Sequence, residues 1–555
     1  MARDKSPEQE PGSSEGGGLL GPHSRRAFLI RAGGGLAVLG MGGTLEACGS
    51  SPSSSGSSSS STTTSGAGKP KRGGTITLAS TGGGSADTLD GNKAVTNLDF
   101  ARAPQLYDTL LELNQDNVIQ PHLAEEVTAN PSATEWTIKL RKGIEFHNGK
   151  TLTVDDVLYT FNRIVSNKLS AASGLAALEL KNAKKLDDYT VQIPCSSPYS
   201  ILPISLIGNG EMSIVPVGYN PKLPVGTGPF KYDPAAGDKF TPGVSSSFSA
   251  NKNYFVTGEP YVDTLVIQDY SDEQSQVNAL LSNQATCCDQ LSISSVAEVR
   301  GGGQVANVWG GPGWVPFTMR LDKPPFNDVN VRQAMRLVVD RPQMQKVVYG
   351  GFGFLGNDIF SITDPEYDHS LPQRVQDIPQ AKSLLKKAGF GSGLTVTLTT
   401  GPIKTGAVQM AQLLKQQASA AGITINLNQV TSGEFFGPNY LQWTFAQDWW
   451  SGYPYLRQAG YSMVPGAPWD ETHWDTSQYG TSYLNLYKQA LAQPDQAKQT
   501  GLVHEMMTMD YNEGGYIIPA FNPVIVGQAT NLAGVIAQKT GDPWIEYRFR
   551  MMWLT

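Results

Sequence analysis

The clearest regular alternation of apolar and polar positions lies in residues 136–165, WTIKLRKGIEFHNGKTLTVDDVLYTFNRIV. Trp136, Ile138 and Leu140 fall on one side of a period of two, and Thr137, Lys139 and Arg141 on the other, the pattern of a half-buried strand. The pair Asn148-Gly149 can take positive φ at little cost, so a tight hairpin is predicted next. The period then lengthens. Val154, Val157, Leu158, Phe161, Ile164 and Val165 recur at helix spacing, with Thr153 placed to cap and Asp156 at the third helical position.

A second block, residues 317–349, reads FTMRLDKPPFNDVNVRQAMRLVVDRPQMQKVVY. Pro324-Pro325-Phe326 with Asp328 ends a strand and starts a helix, and Val331, Ala334, Met335, Val338 and Val339 supply that helix's buried face. Arg332, Asp340 and Arg341 are expected as charges on helix surfaces and ends rather than as catalytic groups. Further on, an amphipathic helix over 378–388 stops at Gly389. A strand over Leu394–Thr400, a helix over 407–421 and a strand over 423–430 follow, an order that argues a parallel α/β unit. A short strand at 73–79 runs into a glycine-rich loop at 81–84, and 277–284 reads as a short helix. The fold class is α/β.

At 555 residues the chain is too long for one core. Such a length suggests about three domains, each of roughly 150 to roughly 200 residues. Hydrophobic residues make up 39% and charged residues 16%. That is enough apolar surface to bury ordinary cores, so the chain is not a disordered one. Its 42 basic and 49 acidic side chains leave a net charge of -7, which gives no basic footprint for nucleic acid.

The N-terminus reads as an address. Ser24-Arg25-Arg26-Ala27-Phe28-Leu29 resembles the twin-arginine export motif, with Arg25 and Arg26 as the pair that is read, and a weakly apolar, glycine-rich run follows over 32–45. That run is too short to span a membrane as a helix. Leu45-Glu46-Ala47-Cys48 resembles a lipobox, in which Cys48 is acylated and becomes the new N-terminus, although Glu46 stands where small residues are usual. Residues 49–68 are almost all Ser, Thr and Gly, a flexible leash that cannot form a core. The resulting expectation is an exported protein, lipid-anchored to the outer face of the cytoplasmic membrane. Cys195, Cys287 and Cys288 remain for the folded part. An exported location permits a disulfide between Cys195 and either member of the vicinal pair. No histidine stands within ten residues of them, which argues against a metal site.

Several stretches imitate catalytic motifs. Residues 351–356, Gly-Phe-Gly-Phe-Leu-Gly, match a dinucleotide fingerprint in letters, but they follow a predicted helix, so the strand-to-helix setting of a pyrophosphate site is missing. His504-Glu505 has Thr508 where a zinc-protease helix needs its second histidine. Asp155-Asp156 occupies a helix first turn, where acids favour the dipole end. No Gly-x-Ser-x-Gly elbow appears from residue 73 onward. No catalytic, metal or cofactor set is assigned, and the chain is read as a non-enzyme.

The order LRKGIEFHNGKTLTVDDV resembles the signature of the bacterial extracellular solute-binding proteins of family 5, which holds the peptide- and nickel-binding proteins of ABC importers. Residues 103–111, Gln120-Pro121-His122-Leu123-Ala124-Glu125, Pro224 with the following Val-Gly-Thr-Gly-Pro-Phe, residues 260–267 and the block 317–349 match what the family places next. The resemblance implies a periplasmic-binding-protein-like fold, two α/β lobes with a cleft and an inserted third domain. It divides the chain into a signal peptide at 1–48, a tether at 49–72, domain I at 73–103, 216–312 and 521–555, domain II at 104–215, and domain III at 313–520.

Ligand contacts are implied at Thr81, Gly82, Gly83, Phe317, Asp448, Trp449, Trp450, Gly452, Tyr453 and Tyr455. Residues 448–455 interleave aromatics with turn residues, as a loop carried on a rigid domain and lining a cavity does; Trp443 and Phe445, at strand spacing, read as core. The aspartate that pairs with a peptide's α-amino group in many relatives aligns with Gly452, which implies, unless Asp448 takes over that role, capped or modified peptides, glycosides or other neutral solutes able to stack on Trp449, Trp450 and Tyr453. The implied protein is a monomer that takes up a peptide or peptide-like solute and works with ABC permease and ATPase subunits. Alternative readings are an exported sensor or adaptor with the same fold, or an exported hydrolase.

Overall fold

The computed structural model describes residues 68–555 apart from 95, 209, 494 and 540. Arg25, Arg26 and Cys48 lie outside the described residues. The chain docks from Arg72 onward, whose guanidinium donates to the Gly258 carbonyl at 3.1 Å.

The strand predicted first runs Glu135–Leu140, and Trp136, Ile138 and Leu140 are fully buried, as the alternation requires. The hairpin is present with different turn chemistry. Gly149 donates to the Phe146 carbonyl at 2.8 Å and Phe146 to that of Lys150 at 2.8 Å. Gly149 sits at φ +82 and Asn148 has no positive φ, so one left-handed glycine closes a longer loop in place of a two-residue turn. The helix spans Val154–Ser166 and buries Val154, Val157, Phe161 and Ile164, while Val165 is exposed. Asp156 is itself buried. Its carboxylate accepts from the Thr153 amide at 3.0 Å and the Val217 amide at 2.8 Å and pairs with Lys150, tying the helix start to the returning chain. Asp155, its neighbour, is exposed and pairs with Lys185 at 2.8 Å.

Three sheets organise the molecule. Strands Ala124–Ala129, Glu135–Leu140, Thr190–Pro194 and Lys184–Asp187 form an antiparallel sheet in that order. A five-stranded sheet runs Ile423–Gln429, Leu394–Thr400, Phe445–Gln447, Phe317–Met319, Tyr516–Ile517. Its first two strands are parallel and joined by the helix Ala407–Ser419, as the strand-helix-strand pattern predicts. The third sheet has eight strands drawn from three separate stretches of chain. Along it lie Val305–Trp314, Phe521–Gln528, Cys287–Cys288, Thr75–Thr81, Thr264–Tyr270, Ser245–Ala250 and Phe230–Lys231, with Phe240–Thr241 beside Ser245–Ala250. Each sheet has its own apolar core. An aromatic cluster built on Trp314, Phe360, Trp450, Tyr455, Trp474 and Tyr516 lies between the strand end at Trp314 and the helices that cover the five-stranded sheet. The architecture is the α/β one expected.

Two expectations are corrected. The three cysteines form no disulfide. Cys195 belongs to the core of the four-stranded sheet, whereas Cys287 and Cys288 enter two further cores, because adjacent residues on a strand point to opposite faces. Burial pushes the Cys195 and Cys288 thiols up to about 12, so neither is a ready thiolate. Arg332 and Arg341 are structural, as expected, yet they are buried rather than on helix surfaces. Arg332 donates to the carbonyls of Phe326 at 2.6 Å and Glu513 at 2.8 Å. Arg341 grips both oxygens of buried Asp358, at 2.7 and 2.6 Å. Asp340 does cap a helix, Arg341–Tyr349, by accepting from the Gln343 amide at 2.9 Å.

Candidate functional site

A cavity of about 1040 Å³ opens where the three sheet bodies meet. The eight-stranded sheet contributes residues 311–313 and the facing residues 522–525, together with Asn97 and Phe100 of the helix Asn97–Leu106. The body of the four-stranded sheet contributes the hairpin around Asn117 and the apolar residues Ile201, Pro203, Ile204 and Ile207. The third wall comes from residues 364–366, 404–406, 450–454, 456–457 and the start of the helix Gln496–Glu513.

The aromatic segment reaches the cavity because it is stitched to the neighbouring sheet. Trp450 and Trp314 exchange backbone hydrogen bonds at 3.0 and 2.9 Å, and their rings stack at 6.0 Å. The segment then turns through Gly452, at φ +90; a Cβ there would lie 2.5 Å from both the Pro312 carbonyl oxygen and its Cβ. Only glycine combines that conformation with so close a crossing.

Behind the wall, two buried carboxyl groups hold the tryptophans. Asp448 accepts from the Trp449 amide at 2.8 Å and the Tyr440 hydroxyl at 2.9 Å. Glu471 accepts from Trp450 Nε1 at 2.8 Å and from the Tyr516 hydroxyl. No cation is paired with either among the described residues. Burial pushes Asp448 up to about 6 and Glu471 well above the usual carboxyl range, with the charge of Asp448 adding to the latter; a buried carboxyl without a cation favours its neutral form.

The predicted contacts therefore separate. Trp450, Gly452 and Tyr453 line the cavity. Trp449 lies just off the wall, exposed, with Lys404 Nζ 4.8 Å above its ring. Asp448 is engaged behind it. Tyr455 and Phe317 do not reach the cavity: Tyr455 is fully buried and donates to Asp510 at 2.8 Å, and Phe317 packs in the core of the five-stranded sheet. Thr81, Gly82 and Gly83 stand behind the lining; the Thr81 carbonyl accepts from Asn97 Nδ2 at 3.4 Å, and Asn97 is the residue that faces inward. Trp443 and Phe445 are packed against apolar neighbours, as expected.

Polar residues that the sequence did not single out complete the lining. Glu366 accepts from Thr500 at 3.2 Å and from Gln496, and burial, reinforced by Asp364, pushes it up to about 7. Burial and the charge of Asp289 push Asp542 up to about 6, against the pull of Lys404. Burial lowers Lys404, which Asp542 partly offsets. Arg457 lies on the first turn of the helix Tyr455–Ser462, with Tyr453 and Tyr461 flanking its guanidinium at 4.8 and 5.6 Å. Nothing local marks these residues in the sequence: they come from separate stretches and meet only through the fold. Among the described residues no group of three His, Cys, Asp or Glu side chains is placed to hold a metal ion. The arrangement offers aromatic faces for stacking, apolar walls and a few fixed polar groups, which is the chemistry of binding.

Residues 118–490 match the family model described as "Bacterial extracellular solute-binding proteins, family 5 Middle". The glutathione-binding protein GsiB of Shigella boydii serotype 4 is 23% identical over 474 residues, 81% of this chain and 90% of that protein. The dipeptide-binding protein of Escherichia coli K12 is 26% identical over 375 residues, covering 61% of this chain and 69% of that protein. Among solved structures, the ABC transporter substrate-binding protein CtaP of Listeria monocytogenes superposes with a TM-score of 0.76 at 18% identity, over 87% of this chain and all (100%) of that one. The periplasmic binding protein DppA of Helicobacter pylori, in complex with the peptide STSA, gives 0.65 at 20% identity, over 87% of this chain and 98% of that one. At these identities the structural likeness establishes the fold.

Proposed function

Because the chain belongs to the bacterial extracellular solute-binding proteins of family 5, we propose that it captures a peptide or peptide-like solute in the cavity between its three sheets and hands it to the permease and ATPase subunits of an ABC importer. The observation that carries this reading is the cavity itself. Its volume is about 1040 Å³, and every sheet body supplies part of its wall. Small-ligand pockets run from about 300 Å³ to about 1000 Å³, so this one stands at the top of that range. A solute held there touches all three bodies at once. Relatives named for glutathione and dipeptide binding support a peptide-like cargo.

In this reading residues 73–103, 216–312 and 521–555 form one lobe, 313–520 the second and 104–215 the inserted domain. The 104–215 body is anchored to the first lobe by ion pairs such as Arg163–Asp90 at 2.6 Å and Arg550–Glu112 at 2.9 Å, and it meets the walls across the cavity through single hydrogen bonds. Gln499 donates to Ser200 at 3.3 Å, Asn117 to the Thr363 carbonyl at 3.3 Å, and the Lys539 amide to the Gln115 carbonyl at 2.9 Å. Each is worth about 1 kcal/mol net, so opening and closing are separated by a gap that a ligand can tip by binding the closed form better. An enzymatic casein hydrolysate is expected to raise the melting temperature and reduce the radius of gyration in small-angle scattering. Unchanged curves on both measures would count against peptide capture by closure.

Location forms a separate part of the proposal. Arg25 and Arg26 direct export, and acylated Cys48 with its leash holds the folded part at the outer face of the cytoplasmic membrane. Cys48→Ser is expected to move the protein out of the membrane fraction; equal membrane retention of the variant would rule out the lipid anchor.

A further inference from the structure

Arginines in this molecule are answered almost without exception. Arg102, Arg163, Arg320, Arg341, Arg374, Arg548 and Arg550 are ion-paired, and Arg72, Arg141, Arg300, Arg332 and Arg336 donate to backbone carbonyls. Arg457 is the exception among the described residues. Its Nε donates to the Tyr461 hydroxyl at 3.3 Å, and its two terminal nitrogens donate to no acceptor among the described residues. The rings of Tyr453 and Tyr461 hold the guanidinium, so the fork is oriented rather than waving in solvent. It lines the cavity. Glu211, carried by a different sheet body and also in the lining, acts on it from a distance without forming an ion pair.

A guanidinium enclosed with a ligand and left without an anion is costly, because its water is removed and nothing replaces it. We propose that Arg457 is an anion-recognition site and that the solute carries a carboxylate which accepts the two free N–H groups of its fork. A planar, singly charged carboxylate fits better than a phosphate. The fork matches its two oxygens. Asp364, Glu366 and Glu211 on the same cavity lining would repel a dianion more strongly than a monoanion. Tyr453, which holds the guanidinium and also lines the cavity, gives the ligand's apolar part a surface beside its charge. Lys404, the other cation of the lining, has Asp542 acting on it and the Trp449 ring beneath it, so its charge is already answered.

The inference rests on the cavity being the solute site, and the test separates the two. Thermal shift and calorimetry would compare an enzymatic casein hydrolysate with the same hydrolysate after methyl esterification, and a panel of small aromatic and aliphatic carboxylic acids with their primary amides. Each would be run on wild type, Arg457→Gln and Arg457→Lys. The expected result is that acids bind the wild type at least about tenfold tighter than their esters or amides, that Arg457→Gln abolishes this preference, and that Arg457→Lys keeps part of it. The wild-type comparison needs no variant to fold. If the hydrolysate fails while members of the acid panel bind with dependence on Arg457, the peptide reading falls and the anion site stands. Equal binding of acids and amides by the wild type, an undiminished preference in Arg457→Gln, or no binding of any acid in either set would overturn the anion site.

Discussion

Single side chains in this molecule are governed by how burial and pairing divide. Asp358 is buried, which alone would raise its pKa, yet Arg341, Arg374 and Arg336 around it hold it below the ordinary carboxyl range. Asp510 is equally buried, receives the Tyr455 hydroxyl at 2.8 Å, and is pushed up to about 7 by burial against a weak pull from Arg336. The signs of their contributions are opposite. A carboxyl raised from 3.8 to about 7 binds its proton more tightly folded than unfolded, so its contribution is complete below about pH 4 and is lost as pH rises toward about 7. Asp510→Asn keeps an acceptor for Tyr455 and cannot ionise. Relative to wild type, its unfolding free energy in urea is expected to rise between about pH 4 and about pH 7, by an amount on the order of a few kcal/mol, and then level off. A difference independent of pH would show that Asp510 does not carry this proton. None of this pairing was legible in the sequence. Periodicity says which side of a helix faces a core, but it does not say that Arg341 meets Asp358 in a later loop, and so buried arginines looked like surface charges.

Among elements, those whose instructions are local were legible. Leu394–Thr400 has the bounds its alternation predicts, and the parallel pairing with Ile423–Gln429 follows from the helix between them. The helix Asn97–Leu106 was missed because its buried side includes Asp99, Arg102 and Gln105 beside Leu98 and Leu106, so an apolar stripe never forms in the sequence. Several of its polar groups instead meet tertiary partners, such as Arg102 with Asp87 at 2.9 Å. Half the aromatic segment was legible for a similar reason. Alternating aromatics and turn residues marked it as a lining, but the backbone bridge between Trp314 and Trp450 decides which side chains face inward, and that bridge joins positions far apart in the chain. Gly452 is where this geometry is most exposed to change. The left-handed backbone is strained with a Cβ, and the added methyl meets Pro312. Gly452→Ala is therefore expected to cost about 1–3 kcal/mol in denaturant unfolding. Stability within error of wild type would show that the crossing is looser than described.

At the scale of the whole molecule, the eight-stranded sheet gathers strands from three distant stretches while the other two sheets each come from one region, so every excursion of the chain begins and ends at the same central body. The cavity lies where those excursions meet. That arrangement makes solute capture a property of no single body. Hydrogen–deuterium exchange with and without a saturating enzymatic casein hydrolysate tests it most directly. The expected result is slowed exchange in residues 113–119 and 200–207 of one body, 311–313 and 522–525 of the second, and 450–457 of the third, all at the same ligand concentration. Protection restricted to one body, protection away from these segments, or no protection at all would contradict capture of a peptide-like solute between the three sheets.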